Sequence, residues 1–440
     1  MNHSMAGNRP ARNKSVLSRK RNRFITIIGL VTCLILVSLC IISGCSLRPE
    51  PEPGFNSPLL PEELAFYQPP DKYFSISANP GKSPRNIILF IGDGMGFSQV
   101  ELSRVWGAGR KNRLWMETLP VKGQMVTHNI QSDITDSAAA VTAMACGVKT
   151  KNGTIGQTPD GQNWLNISEL LRQNGWRTGL VATSAVTHAT PAGFASHVVS
   201  RGMEEEIAFQ MASSGTDVIL GGGLKYWQKP ETQQRVRRAD FSTVTTREEL
   251  NTIGSLPVLG LFQQKEMTTV KTGEPSIEEM TRNAIRLLSA PQPDGSPAPP
   301  FFLMVEGSQI DWACHAHDAK DCVRQTLLFD MAIKTGLDFA RASDDTLIVV
   351  TADHETGGMS LSYAGDTSRF PKVGWSTSGH TNSNVPVFAF GPGASQFAQT
   401  FDNTELPKKF AAFYNLTDFP RAISLTKLQN KQTVLQIAGR

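Results

Sequence analysis

The chain has 440 residues, 40% hydrophobic and 19% charged, enough apolar mass for a large buried core; its 37 Gly and 26 Pro follow no period, so it is neither disordered nor fibrous. The formal charge of +4 belongs to one end: seven Lys or Arg and no acidic residue fall within residues 1–44, and beyond them 36 basic residues face 39 acidic ones. A near-neutral body of this kind excludes nucleic acid as a specific partner.

Arg19, Lys20, Arg21 and Arg23 precede an apolar run from Phe24 to Ile42. A positive flank before such a run reads as a secretory signal or as a single membrane-spanning anchor. Ile42-Ser43-Gly44-Cys45 resembles the bacterial lipobox, which implies cleavage before Cys45 and a lipid on it. Residues 1–45 are therefore signal peptide and lipobox or a membrane anchor. Either places the body outside the cytoplasm, in a periplasmic or other extracytoplasmic space, held to a membrane. Residues 46–84 are Pro-rich and read as a spacer, and 85–440 as the folded domain. Beyond Cys33, Cys40 and Cys45 only Cys146, Cys314 and Cys322 remain, so there is no disulfide scaffold; Cys314 and Cys322 form one bridge or stay thiols.

From residue 85 short apolar runs alternate with helical stretches. The runs are Asn86–Ile91, Arg177–Ala182, Asp217–Leu220, Phe301–Val305, Thr346–Val350 and Val385–Phe390; the helices are Ser137–Cys146, Asn166–Asn174, Glu204–Ser213 and Ser276–Leu288. Near-continuous apolar strands are those of a parallel sheet buried on both faces. The fold class is α/β, a central, mostly parallel sheet with helices on both faces and small surface insertions. Residues 222–275 are polar and read as a surface excursion. No repeat is present.

Ligands of an open α/β sheet bind beyond the carboxyl ends of its strands. Asp93 follows the first run between two glycines. Ser137 stands at the start of an Ala-rich helix, where free N–H groups favour an anion, and reads as the N-cap or as a nucleophile. Thr190, in Thr187-His188-Ala189-Thr190-Pro191, offers a hydroxyl to a hard cation, and Arg201 can hold two phosphate oxygens. Glu306 ends the Phe301 run; Asp311 and His315 are four apart and share a helix face, as two ligands of one zinc do. Asp353 and His354 end the Thr346 run, and His380 precedes the last. Any one of these has a plain structural reading, but their recurrence after successive strands is most simply a multi-metal site. No Walker loop is present, and Gly221-Gly222-Gly223 opens no dinucleotide fingerprint.

These residues lie in segments that resemble the alkaline phosphatase family: IGDGMG (91–96), TDSAAAVTAMACGVKTKNGTIG (135–156), THATPAGFASHVVSR (187–201), VEGSQIDWACHAHDA (305–319), TADHETGG (351–358) and SGHT (378–381). They occur in family order. The resemblance implies an alkaline phosphatase-like catalytic domain over 85–440 that hydrolyses phosphate monoesters through a phosphoserine. Ser137 would be the nucleophile and Arg201 the phosphate clamp, oriented in part by Asp136. Asp311, His315 and His380 would hold one Zn²⁺, and Asp93, Asp353 and His354 a second. Asp93, Thr190 and Glu306 would hold Mg²⁺. His188 would touch a water on that cation, and Trp312 would follow a zinc ligand, a His/Trp pairing similar to that of some marine and cold-adapted bacterial members. The 25 residues between His354 and His380 imply no large crown insertion, although members are commonly homodimers. The competing expectations are a related hydrolase preferring diesters, phosphonates or sulfate esters, and a catalytically dead, membrane-anchored binding lipoprotein.

Overall fold

The structure, a computed structural model, describes residues 58–70, 82–268, 273–363 and 370–423. The signal, lipobox or anchor expected over residues 1–45 lies outside the described residues. Among those described, no helix is long and apolar enough to cross a membrane.

Ten strands form the central sheet: β1 (Asn86–Gly92), β2 (Val121–Val126), β3 (Arg177–Ala185), β4 (Val218–Gly222), β5 (Ser242–Val244), β6 (Val258–Leu261), β7 (Phe301–Gly307), β8 (Thr346–Thr351), β9 (Val385–Phe390) and β10 (Thr400–Asp402). Their order across the sheet is β10-β2-β9-β8-β1-β7-β3-β4-β6-β5. Every pairing is parallel except those of β9, which runs antiparallel to both β8 and β2. The sheet is thus mixed and mostly parallel. The middle strands carry the apolar runs because both faces are covered: β1, β7, β8 and β9 are buried at every position.

The polar stretch 222–275 is not the surface excursion its composition suggests. It contributes β5 and β6, which extend the sheet beyond β4. β5 has three residues and forms an edge with an exposed position, so it needs no continuous apolar run; β6, flanked on both sides, is the buried four-residue run Val258-Leu259-Gly260-Leu261.

The helices that matter to the site are α1 (Ser137–Cys146), α2 (Ile167–Gln173), α3 (Ala189–Gly193), α4 (Glu204–Met211), α5 (Ile277–Leu288), α6 (Gln309–His315) and α7 (Ala319–Ser343). α5 and α6 both pack on α7; α7 lies over β1, β7 and β8 and α5 over β3, β4 and β7, while α1 packs with α2 and α3 in a second group. The helix expectations hold to within a residue or two. At α1 the cap is displaced by one position: Asp136 is the N-cap, its carboxylate accepting from Ala139 N at 2.9 Å, and Ser137 is the first helical residue.

Residues 58–70, inside the expected 46–84 spacer, pack on the body. Leu59 and Tyr67 are buried in its core, and the Tyr67 hydroxyl donates to Asp330 on α7 at 2.7 Å. The small insertion between His354 and His380 contains a hairpin of Ser360–Ser362 with Lys372–Gly374. Cys146, Cys314 and Cys322 are buried free thiols, with the last two sulfurs 3.3 Å apart.

Candidate active site

Register brings the site together. Ile91 of β1 pairs with Glu306 of β7 on one side and with Thr351 of β8 on the other. Asp93, Glu306 and Asp353 therefore arrive at one rim of the sheet, at or just past the ends of three adjacent strands. Gly94 has φ +72°, and a Cβ there would meet the Asp311 backbone at 2.9 Å, so only glycine lets the Asp93 turn close against α6.

Three groups of ligand-bearing side chains form at this rim, each with its ligand atoms within 4.8 Å of one another: Asp311 with His315 and His380; Asp93 with Asp353 and His354; Asp93 with His188 and Glu306. Asp93 is shared by the last two. The first group is the more open. His315 Nδ1 bonds the Ser378 carbonyl at 2.6 Å and His380 Nδ1 the Thr135 carbonyl at 2.8 Å. Each ring thus carries its proton on Nδ1 and turns Nε2 inward. The two Nε2 atoms face each other at 3.2 Å, with Asp311 Oδ1 at 3.3 and 3.6 Å. Three electron-rich atoms converge on one point, an arrangement that needs a cation or a proton to share. Without a metal the proton serves: hydrogen bonding to Asp311 pushes His315 up to about 9. Burial would raise the Asp311 carboxyl, but the bond from His315, the charge of His354 and the Thr356 hydroxyl outweigh it and hold Asp311 below the usual carboxylate range.

The other two groups are dry. Asp93, Asp353, His354 and Glu306 are fully buried. Neither oxygen of Asp93 has a hydrogen-bond partner, and Glu306 Oε1 and Thr190 Oγ1 have none either. Burial, then the charges of Asp353, Asp311 and Glu306, drive the Asp93 carboxyl well above its ordinary value. Burial lifts Glu306 to about 7 and Asp353 to about 6, and it lowers His354 to about 4. Buried carboxylates with bare oxygens are strongly disfavoured unless a cation joins them. The carboxylates and hydroxyl of Asp93, Glu306 and Thr190 suit a hard oxygen-loving ion, and the imidazole-containing sets suit zinc. The residues fit the metals the sequence implies.

Ser137 is 2% exposed at the mouth of these groups. Its Oγ lies 3.2 Å from His354 Nε2 and 3.5 Å from Arg201 Nη1. Asp136 Oδ2 accepts from Arg201 Nη1 at 3.3 Å and from Gly153 N at 2.9 Å, so the capping residue of the serine's helix also orients the guanidinium. Arg201 Nη2 donates to His188 Nε2 at 3.0 Å. Burial, then the Arg201 charge, lower His188 to about 4, so this ring is neutral. The third group includes His188, and Trp312 stacks edge-on against its ring at 5.9 Å. His317 stays outside the three groups: it bonds the Thr377 carbonyl and stacks on Trp375.

All the sequence-derived site residues thus meet at one rim. Reading the sequence did not find Thr356, whose hydroxyl bonds Asp311 and lies 3.3 Å from His354 Nδ1, or the buried pair His197–Glu169. Thr356 lies in the TADHETGG segment, but a lone hydroxyl gives no spacing signal.

A family model described as alkaline phosphatase matches residues 84–370. The chain belongs to the alkaline phosphatase family. Alkaline phosphatase 3 of Bacillus subtilis strain 168 is 32% identical, across 76% of this chain and 90% of its own length. Streptomycin-6-phosphate phosphatase of Streptomyces griseus is also 32% identical, across 74% of this chain and 90% of its own. The solved structure of the alkaline phosphatase from the Antarctic bacterium TAB5 is 36% identical, with a TM-score of 0.69, covering 76% of this chain and 98% of that one. A His-to-Asp variant of the TAB5 enzyme has Mg bound in its M3 site. This chain is accordingly a hydrolase of phosphate monoesters in a metal-dependent family.

Proposed function

We propose that the chain cleaves phosphate monoesters through a covalent phosphoserine at Ser137 and releases inorganic phosphate. The observation that carries this reading is the position of Ser137 Oγ, at a helix N-terminus, between His354 Nε2 and the Arg201 guanidinium. Asp311, His315 and His380 would hold one Zn²⁺; Asp93, Asp353 and His354 a second; Asp93, Thr190 and Glu306 a Mg²⁺, with His188 beside it. When bound, these cations supply the positive charge that favours the ionised serine hydroxyl, neutralises the phosphoryl oxygens and activates water.

The chain's own groups do the rest. Arg201 draws two phosphoryl oxygens toward Ser137, and Asp136 fixes the direction of its fork. The N–H groups at the start of α1 face the same oxygens. Ser137 Oγ attacks phosphorus in line, the alcohol leaves with a proton, and a phosphoserine remains. Water then attacks the phosphorus from the side the alcohol left, the Ser137–phosphorus bond breaks, and phosphate departs. A second ester group would crowd the Arg201 fork, which favours monoesters over diesters.

The same reading includes the address. The lipobox-like end at Cys45 supports an extracytoplasmic, membrane-held enzyme, and labelling with a radioactive fatty acid that disappears in Cys45→Ala would support the lipid form. Labelling that persists would reject it.

The main test follows an aryl phosphate monoester and its diester side by side at alkaline pH, before and after EDTA, and again with zinc and magnesium restored. The expected result is faster monoester turnover that is lost to chelator, regained with metal and abolished in Ser137→Ala. Full activity in Ser137→Ala would remove the phosphoserine, and faster diester turnover would move the chain to a sibling activity.

A further inference from the structure

The clamp residue Arg201 sits on a short segment after α3, partly exposed, with no regular structure of its own to hold it. Four residues before it, His197 is 3% exposed and bonded at every polar atom. Its Nε2 meets Glu169 Oε1 of α2 at 3.0 Å and its Nδ1 meets the Gly156 carbonyl at 3.0 Å. Both acceptors are oxygens, so both ring nitrogens carry protons and the pair is an imidazolium with a carboxylate. The opposite charge and hydrogen bond of Glu169 outweigh burial and raise the ring above its ordinary value. The backbone N–H of His197 donates to Gln210 Oε1 at 2.8 Å, and Gln210 Nε2 donates back to its carbonyl at 3.2 Å.

The segment that receives His197 also carries the serine's helix. Gly156 N donates to Thr142 Oγ1 on α1, one residue back Ile155 pairs with Val198, and Gly153 links both ends of the site. Its N–H donates to Asp136, and its carbonyl accepts from Arg201 N at 2.7 Å. Gly156 has φ +65°, and a Cβ there would lie 2.4 Å from His197 Nδ1, so the ring is seated against a backbone that only glycine provides.

We propose that the buried His197–Glu169 pair is a positioning device that sets the Arg201 guanidinium against Ser137. It acts through the 153–156 segment common to the clamp and the nucleophile's helix. His197 touches no substrate; it acts through Arg201. This rests on the reading of Arg201 as the phosphate clamp. Small displacements of a positioning group far from the chemistry can cost about a hundredfold.

The test is a double-mutant cycle on the metal-loaded enzyme. It reads inhibition by inorganic phosphate, KM and kcat separately, and bound zinc and magnesium. His197→Gln keeps one donor, and Glu169→Gln keeps an acceptor for the ring and removes the charge; a melting curve identifies which of the two variants is folded and can be read. Each single variant should weaken phosphate inhibition by about tenfold and raise KM with metal content unchanged. Arg201→Ala should weaken it further, and His197→Gln added to Arg201→Ala should cost nothing more. Equal losses from His197→Gln with and without Arg201, or unchanged phosphate inhibition in folded single variants, would overturn the inference. Unchanged phosphate inhibition in Arg201→Ala would instead overturn the clamp reading itself, whatever His197 does.

Discussion

Two aspartates, Asp93 and Asp330, are both fully buried, and they are solvated in opposite ways. Asp330 on α7 accepts from the Tyr67 hydroxyl at 2.7 Å, from Trp115 N at 2.8 Å and from Met116 N at 2.9 Å. The protein supplies every donor it needs, and the result is a structural tie between the 58–70 strap and the body. Asp93 lies at the sheet rim among Asp353, Asp311 and Glu306 with no hydrogen bond to either oxygen. A folded chain tolerates the first because it is satisfied, whereas the second calls for a partner from outside, which the proposed cations would supply. Burial of a carboxylate is therefore not the mark of a functional site; burial without donors is.

The contrast can be broken most directly at Asp93. Asp93→Asn removes the negative charge of the residue common to two of the three groups. It should lower monoester turnover about a thousandfold, the order expected for several kcal/mol of lost cation stabilisation. The metal-free form of that variant should melt no lower than metal-free wild type, because a buried carboxyl that no protein donor satisfies is gone. A metal-free melting point well below wild type would make Asp93 a structural residue like Asp330.

Chelation sharpens the same point through pH. In the metal-free chain Glu306 titrates at about 7 and Asp353 at about 6, both above their unfolded values, because burial resists their charge. A raised carboxyl means the folded state binds more protons than the unfolded one. Its contribution is present in full below about pH 4 and is lost as pH climbs through 6 to 7. Thermal melts of EDTA-treated protein should therefore show falling stability from about pH 4 to 7, and zinc with magnesium should flatten that slope. A slope unchanged by metal would disconnect these carboxyls from the cations. At the small end, Tyr67→Phe removes one of the three donors to Asp330. It should cost about 1–2 kcal/mol in unfolding free energy with kcat of the folded enzyme unchanged. A large fall in kcat would tie the strap to catalysis.

What could be read from the chain follows from where the chemistry sits. Asp93, Glu306, Asp353 and His354 were legible because each directly follows an apolar run, and an open sheet gathers such positions at one rim whatever the loops do. The central strands were legible for the same reason that they are central: both faces are dry. β5 escaped because a short strand at an edge can be polar, β6 because its four-residue Val258-Leu259-Gly260-Leu261 run is brief within a polar stretch, and β2, with Lys122, Gly123 and Gln124 in its middle, lacks a continuous apolar signature. The one-residue shift at α1 arose because Asp136 and Ser137 are equally good caps, and only the bond from Ala139 decides between them. His197 and Glu169 could not be found by pattern: 28 residues separate them, and the pairing exists only once α2 and the clamp segment are docked.

The reversed strand β9 has a consequence for how this site can change over time. Seven ligand-side residues reach the rim at or beyond the ends of strands, but His380 reaches it before one, and it can do so only because β9 points the other way. The chain therefore leaves the rim after His354 and is back at it at His380, with no strand of the central sheet between them among the described residues. The described residues between them, 355–363 and 370–379, belong to a detour that starts and ends at two of the candidate ligands. Such a detour can gain or lose length without moving either anchor, whereas a crossover between parallel strands must always span the sheet. Within the central sheet, the reversed strand β9 thus lets the length of chain between His354 and His380 vary while both residues keep their places at the rim.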